Sequence, residues 1–390
     1  MTEAPTSLYF HIPFCKHRCA YCDFNTYAGQ SDTIPAYVSA LCKEIKELGE
    51  SRPGLKVGTI FFGGGTPSLL SNIQYQSIFE KITRYFQVLP GAEISLEANP
   101  GTVSSDYLAD LHTTGFNRIS YGVQSANPEE LRMLERIHSY ADVVAAIKWS
   151  RQTGYDNLNL DLIYGLPEQT LESWQHTVRL VTGLHPEHIS AYALTLEHGT
   201  PFGRWAAKGL LPIPDPDLAA LQYEWTMEFL AELGYEQYEI SNWALPGREC
   251  QHNLQYWRNL NYLGLGAGAH GYAHSCRYSN VLRIKTYIDR FSDEASSGHG
   301  YPLTSGVVNQ HRNTLFEDMQ DTMLTGLRLT HEGVSAVDFE LRFGQKMQVV
   351  FETEIKKMVQ VGLLEWAGER VRLTVRGRLL GNQVFMQFVG

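Results

Sequence analysis

What this chain has little of narrows it first. Cysteine is scarce, six in 390 residues, too few and too unevenly spread for the disulfide framework of a secreted domain. Long apolar runs are missing, so no stretch reaches the roughly 20 residues that cross a bilayer. With 43% of residues hydrophobic and 19% charged, the composition is that of a soluble globular protein able to build a sizeable core. The excess of positive charge that draws proteins to nucleic acid or anionic lipid is absent too: the formal net charge is −10, which disfavours such partners without excluding a local basic patch. The start, Met1-Thr2-Glu3-Ala4-Pro5-Thr6-Ser7, has neither the apolar core of a signal peptide nor the arginine-rich face of a transit peptide. A reducing cytoplasm is the expected location, and the length calls for two domains, or a barrel with an appendage.

Half of the few cysteines crowd into one loop. Cys15-Lys16-His17-Arg18-Cys19-Ala20-Tyr21-Cys22 has C-x3-C-x2-C spacing and directly follows the apolar run from Leu8 to Ile12. Three thiolates on one loop repel one another unless a soft cation or an iron–sulfur cluster neutralises them. A [4Fe-4S] cluster takes four ligands, yet Asp23-Phe24 follow Cys22, so one iron would lack a protein thiolate and could bind a small molecule. The competing zinc site would want a fourth Cys or His nearby. Cys42, Cys250 and Cys276 stand alone in apolar surroundings and read as buried free thiols.

From residue 8 to about 200, short β-branched or aromatic runs alternate with longer amphipathic segments, the pattern of βα units on a parallel sheet. Strands are expected over 8–12, 57–62, 93–98, 118–123, 158–163 and 188–195. Between the second and third, Ile73, Ile78, Phe79, Ile82 and Phe86 fall at helical spacing behind a capping Ser71. The predicted fold class is α/β, a partial (β/α)6 barrel over 1–240, whose functional groups collect at the carboxyl ends of the strands. The cysteine loop follows strand one, and Gly63-Gly64-Gly65-Thr66-Pro67 follows strand two. Glu97 ends strand three, Gln124 ends strand four, and Asp161 lies late in strand five. The glycine loop lacks the Lys of a phosphate loop and the G-x-G-x-x-G spacing of a dinucleotide fold; its glycines allow close approach and positive φ, with N–H groups turned to a ligand.

Past residue 200 the alternation fades. Leu211-Pro212-Ile213-Pro214-Asp215-Pro216 is a connection that can be neither helix nor central strand, and a helix follows over 216–233. Residues 241–310 form an aromatic, His- and Gly-rich region ending in a polar linker over 292–305. From 311 to 390 the order of three helices and a small hairpin predicts a smaller C-terminal helical, winged-helix-like domain. Its ten Lys/Arg balance ten Asp/Glu, so it lacks the basic excess of a DNA reader, despite the cluster Arg370, Arg372, Arg376 and Arg378.

Four stretches together, Tyr9-Phe10-His11-Ile12-Pro13-Phe14-Cys15, Gly63-Gly64-Gly65-Thr66-Pro67, Gly122-Val123-Gln124 and Asp161-Leu162-Ile163-Tyr164-Gly165-Leu166-Pro167, resemble the oxygen-independent coproporphyrinogen III dehydrogenase family of radical S-adenosylmethionine (SAM) proteins over essentially the whole chain. The resemblance implies a [4Fe-4S] cluster on Cys15, Cys19 and Cys22, and SAM contacts from Tyr9, Gly64, Gly65, Thr66, Glu97, Gln124, Arg136 and Asp161. The carboxylates suit a ribose or ammonium, and the Arg136 fork suits a carboxylate; an internal ion-pair network would use the same residues. Members with dehydrogenase activity carry a further cysteine two residues after the third, where Phe24 stands here, and a longer amino-terminal segment. His252-Asn253-Leu254-Gln255-Tyr256-Trp257 instead matches the H-N-x-x-Y-W motif of a haem-chaperone branch. That branch implies haem bound with His252 as axial ligand, whereas His252 taken alone reads as a hydrogen-bonded structural histidine. The expected partners are haem and an apo-haemoprotein acceptor, membrane-bound acceptors included, with peripheral membrane contact only through a partner, no nucleic acid, and a homodimer left open. The competing reading is the dehydrogenase itself, in which reductive SAM cleavage starts oxidative decarboxylation of a porphyrinogen propionate.

Overall fold

The computed structural model describes residues 4–292 and 299–389. Six strands run parallel and consecutively: β1 (Thr6–Ile12), β2 (Lys56–Gly64), β3 (Gln87–Ala98), β4 (Arg118–Gln124), β5 (Leu158–Tyr164) and β6 (His188–Ala193). Helices cross between them: α1 (Ile34–Ser51), α2 (Asn72–Tyr85), α3 (Ser105–Thr114), a short α4 (Pro128–Met133) with α5 (Tyr140–Gln152), and α6 (Leu171–Thr182). Local chemistry sets several boundaries. Ser71 and Gln74 form a reciprocal capping box at the start of α2, Ser139 and Asp142 do the same for α5, and α3 ends at Gly115 with φ 117°, where a side chain would be strained. Leu8, Phe10, Ile60, Phe62, Leu96, Ile119, Leu160 and Ile189 join one buried core between sheet and helices.

Further strands complete a sheet of order β12-β11-β10-β9-β1-β2-β3-β4-β5-β6-β8-β7. Here β7 is Glu236–Glu239, β8 Asn242–Ala244, β9 Tyr262–Leu265, β10 His270–Ala273, β11 Cys276–Asn280 and β12 Val307–Arg312. After α7 (Pro201–Ala207) and α8 (Pro216–Glu232), the chain adds β7 and β8 antiparallel beside β6. It then crosses to the far side and lays β9 parallel to β1. Residues 241–310 thus divide between the two sides of the barrel. The crossing carries α9 (Gln251–Trp257), the helix of the H-N-x-x-Y-W stretch. Of the expected 292–305 linker, residues 293–298 lie outside the described residues; Ser305 is tied down, its N–H donating to Glu47 at 3.0 Å.

The C-terminal part has its own core, built from Met323, Leu327, Phe339, Met347, Phe351, Ile355, Leu364, Val371, Leu373 and Val384. It comprises α11 (Leu315–Gly326), α12 (Ala336–Phe343), α13 (Met347–Val350), α14 (Glu352–Gln360), α15 (Val375–Leu379) and α16 (Gly381–Phe385), which follow α10 (Ile284–Arg290), with a small sheet of β13 (Val334–Ser335), β15 (Arg370–Leu373) and β14 (Leu364–Ala367). Arg258, one residue past α9, meets Glu332 in a bidentate pair, and Arg328 lies 4.4 Å over the Trp257 ring, so α9 also touches this second core.

One buried carboxylate fastens the added strands to the barrel. Glu44 of α1 is fully buried and accepts from Gly266 N–H (2.7 Å), Asn280 Nδ2 (2.8 Å), Tyr287 O–H (2.5 Å) and Thr304 O–H (2.7 Å). Glu44→Ala takes an acceptor from four buried donors and leaves Asn280 Nδ2 only the Gly266 carbonyl at 3.0 Å, and urea unfolding is expected to show a loss of at least about 3 kcal/mol.

Candidate functional site

At the carboxyl ends of the parallel strands lies a cavity of about 480 Å³. Parallel register builds it, because residues paired across neighbouring strands stand at one depth and point to one side. Glu97 pairs with Ser120, Gly122 with Asp161, and Asp161 with Ser190. Cys15, Cys19 and Cys22 form one wall, with Gly64, Gly65, Thr66, Glu97, Gln124, Arg136 and Asp161 around it. Ten of the twelve residues singled out from the sequence therefore meet in one space. Tyr9 and His252 do not line it.

The cysteine loop turns tightly, with Cys22 N–H donating to the Cys19 carbonyl at 3.1 Å, and is held from outside by Phe202 N–H on the Ala20 carbonyl at 3.1 Å. Thr66 O–H points at Cys15 Sγ (3.7 Å) and Arg136 Nη1 at Cys19 Sγ (3.8 Å). Burial, and then neighbouring thiols, push the Cys15 thiol above its ordinary range, with the Thr66 hydroxyl opposing; burial also raises Cys22. Such thiols become thiolates comfortably only beside a compensating cation. Among the described residues no three His, Cys, Asp or Glu side chains stand at the spacing of a single metal ion, and no fourth cysteine lines the cavity. This donor set fits a multinuclear cluster carrying three thiolates better than a closed four-ligand zinc site.

The glycine loop differs from the expectation that its N–H groups face a ligand. Gly64 N–H donates to Glu97 Oε2 (2.9 Å), Gly65 N–H to the Ile12 carbonyl (2.9 Å) and Thr66 N–H to the Phe14 carbonyl (2.7 Å). All three are engaged internally. Glycine is required for packing instead: a Cβ on Gly64, where φ is 110°, would lie 2.5 Å from the His11 ring, and one on Gly65 would lie 2.6 Å from the Phe14 carbonyl oxygen. What the loop leaves for a ligand is acceptors, which suit a cationic group.

The acids are poised by what lies beneath them. Asp161 accepts from Ser120 O–H (2.9 Å) and Asn159 Nδ2 (2.8 Å), yet burial leaves its carboxyl above the usual range. Burial, then the nearby Asp161, raise Glu97 to about 7, against the Gly64 N–H and the Arg118 guanidinium. Arg136 donates to the Gly122 carbonyl at 2.8 Å, while Gln124 holds a left-handed φ of 68° that turns the chain at the rim. Sequence reading missed Ser120, Asn159, Ser190 and Arg118. Their signal was present as polar residues two apart in strands otherwise largely apolar, Arg118 and Ser120, Asn159 and Asp161, His188 and Ser190.

Tyr9 lies beneath the cavity, its O–H 2.9 Å from His11 Nδ1. His252 is buried, 1% exposed, with Nδ1 2.7 Å from Thr59 Oγ1 and Nε2 2.8 Å from the Tyr256 hydroxyl. Both ring nitrogens are occupied, and burial together with Arg118 lowers the pKa to about 3, so the ring is neutral. Axial ligation of haem iron by His252 would break one of these bonds and draw the ring out of the core. In this structure it is the hydrogen-bonded histidine.

The parallel half-barrel, with three cysteines after its first strand and a glycine loop after its second, defines a radical SAM fold, and residues 9–181 match the Radical SAM superfamily model. Residues 314–380 match the HemN C-terminal domain. The chain is 39% identical to heme chaperone HemW of Bacillus subtilis, over 98% of this chain and 99% of that protein. It is 43% identical to heme chaperone HemW of Escherichia coli over 68% and 70%. It belongs to the heme chaperone HemW family. Among solved structures, coproporphyrinogen III oxidase (HemN) from Escherichia coli, a radical SAM enzyme, superposes with a TM-score of 0.83 at 26% identity, over 99% of this chain and 90% of that one.

Glu97 gives the unliganded protein a pH signature. Its folded pKa, about 7 against an ordinary 4.5, means the folded state binds more protons than the unfolded state between those values, so stability is full below about pH 4.5 and is lost as pH rises through 7. The thermal midpoint of wild type should fall more between pH 5 and pH 8 than that of Glu97→Gln; identical slopes would refute the assignment.

Proposed function

We propose that the protein is a haem chaperone that binds haem and delivers it to apo-haemoproteins, while carrying a [4Fe-4S] cluster and SAM in its barrel. The observation that carries this reading is the near full-length similarity to the Bacillus subtilis heme chaperone. Cys15, Cys19 and Cys22 would hold the cluster. When bound, a cluster with one open iron supplies a chelation point for SAM and an electron. Glu97 would accept from the SAM ammonium, Arg136 would pair with its carboxylate, Asp161 would accept from the ribose hydroxyls, and Gly64, Gly65, Thr66 and Gln124 would border the ligand, with Tyr9 supporting from below. An ammonium seated on Glu97 favours its ionised form, so SAM affinity should rise as pH passes 7.

The dehydrogenase reading is the alternative, and Phe24 speaks against it. This residue is 62% exposed at the cavity rim, an apolar group where dehydrogenases of the resembling family carry a further thiol. The acceptors proposed include membrane-bound haemoproteins. Among the described residues no helix is long and apolar enough to cross a membrane, and a cytoplasmic location with membrane contact through a partner belongs to the same proposal.

Anaerobic reconstitution followed by hemin titration tests the reading on one sample. The expected result is iron with acid-labile sulfide, lost in Cys15→Ser, Cys19→Ser or Cys22→Ser, and a Soret band on adding hemin to wild type. One zinc without sulfide would sink the cluster. No Soret change, together with conversion of coproporphyrinogen III under reducing conditions with SAM, would replace the chaperone by the dehydrogenase.

A further inference from the structure

We infer that His252 is a positioning residue of the SAM pocket, its imidazole pinned between Thr59 and Tyr256 so as to fix the aromatic floor on which the glycine loop and Glu97 rest. The inference builds on the proposed reading of the cavity. It starts from topology: between β8, beside β6, and β9, beside β1, the chain crosses the barrel, and α9 lies on that crossing. Its side-chain partners are residues well before the carboxyl ends of their strands. Thr59 lies five positions before Gly64 on β2, and Glu93 lies four before Glu97 on β3; the two pair in register. Glu93 accepts from the backbone N–H groups of Gln251 and His252, both at 3.0 Å, and from the Cys250 thiol at 3.5 Å. Thr59 donates to Ser7 Oγ at 2.6 Å, tying β1 into the same layer. α9 is therefore a plug in the amino-terminal half of the barrel, on the side of the sheet interior away from the cavity mouth.

The next layer up joins plug to pocket. The His252 ring stacks on Phe61 at 5.1 Å between centroids and lies 6.5 Å from Tyr9; Tyr9 and Phe61 pair in register and stack at 6.3 Å. Above them Gly63 has no spare room, since a Cβ there would stand 2.9 Å from Phe61 Cε1 and 3.1 Å from both Tyr9 Cε2 and Glu97 Oε2. Tyr9 orients His11, whose ring lies against Gly64 and whose Nε2 is 3.0 Å from the Asn25 carbonyl, three residues beyond Cys22. A continuous set of direct contacts thus runs from His252 through Phe61 and Tyr9 to the glycine loop, Glu97 and the segment after the cysteine loop. The interior is close-packed, so a ring freed to tilt at the bottom shifts what it supports. Positioned groups lose function with displacements of about an ångström.

The test removes the partners of the imidazole and keeps the imidazole. Thr59→Val is isosteric and silences the Nδ1 bond; Tyr256→Phe silences the Nε2 bond. In anaerobically reconstituted full-length protein with wild-type iron and sulfide content, each is expected to weaken SAM binding by calorimetry about tenfold and to broaden the SAM-induced change in the EPR spectrum of the reduced cluster. His252→Ala is expected to do the same, and His252→Asn, which keeps a hydrogen-bonding group at the Nδ1 position, to recover part of the affinity. SAM affinity and spectrum unchanged in both Thr59→Val and Tyr256→Phe would overturn the inference. Should either variant lose its cluster, the pair His252→Ala and His252→Asn decides by the presence or absence of partial rescue. A wild type that binds no SAM would refute the reading of the cavity instead, a result distinct from all of these.

Discussion

Register between parallel strands is the constraint on which this molecule depends. Because neighbouring strands run the same way, side chains of equal depth face one another inside the barrel, and the interior becomes a stack of layers. Ser7, Thr59 and Glu93 form one layer, Tyr9 and Phe61 the next, and Glu97 with Ser120 stands nearer the mouth. A slip of one residue on β2 would turn Thr59 and Phe61 away together and bring their outward neighbours in. The cavity, its floor and the plug beneath it are consequences of one alignment.

The interior is polar for a protein core, and its chemistry follows from that. Arg118 is 2% exposed, and burial works against its charge while the carboxyl groups of Glu93 and Asp161 beside it favour that charge. The same guanidinium opposes the upward push of burial on Glu97 and Asp161 and helps keep His252 and His188 neutral. Buried charge is costly unless compensated, so these groups constrain one another, and the acids at the mouth inherit a poise set below them. The glycine loop shows the same economy of space: its N–H groups secure Glu97 and the entry to the cysteine loop, so the loop fixes the site's shape as it borders it.

Three stretches that sequence reading treated separately prove to be one construction. The cysteine loop is reached through His11 and Asn25, the glycine loop lies on His11 and Phe61, and α9 supports Phe61 and Tyr9. Glu44 performs the corresponding task at the other side of β1, holding the strands that follow α9. The C-terminal core meets the barrel in part through the far end of α9, where Arg258 and Trp257 engage Glu332 and Arg328.

The sequence by itself determined what depends on local pattern. The six parallel strands, the capped helix behind Ser71, the cysteine loop at the end of β1 and the polar residues at strand ends were legible, because periodicity, capping and motif spacing are properties of neighbouring residues. So was the convergence of nine site residues, since a βα architecture forces strand ends together; Arg136, which lies past α4 rather than at a strand end, was named only through the family resemblance. The fate of each polar atom was decided only by tertiary structure. Nothing near Gly64 in the chain announces that Glu97 takes its N–H, and nothing near His252 announces that Thr59, 193 positions away, takes its Nδ1. An imidazole is an iron ligand or a structural strut according to what meets its two nitrogens, and those partners come from strands that sequence distance conceals.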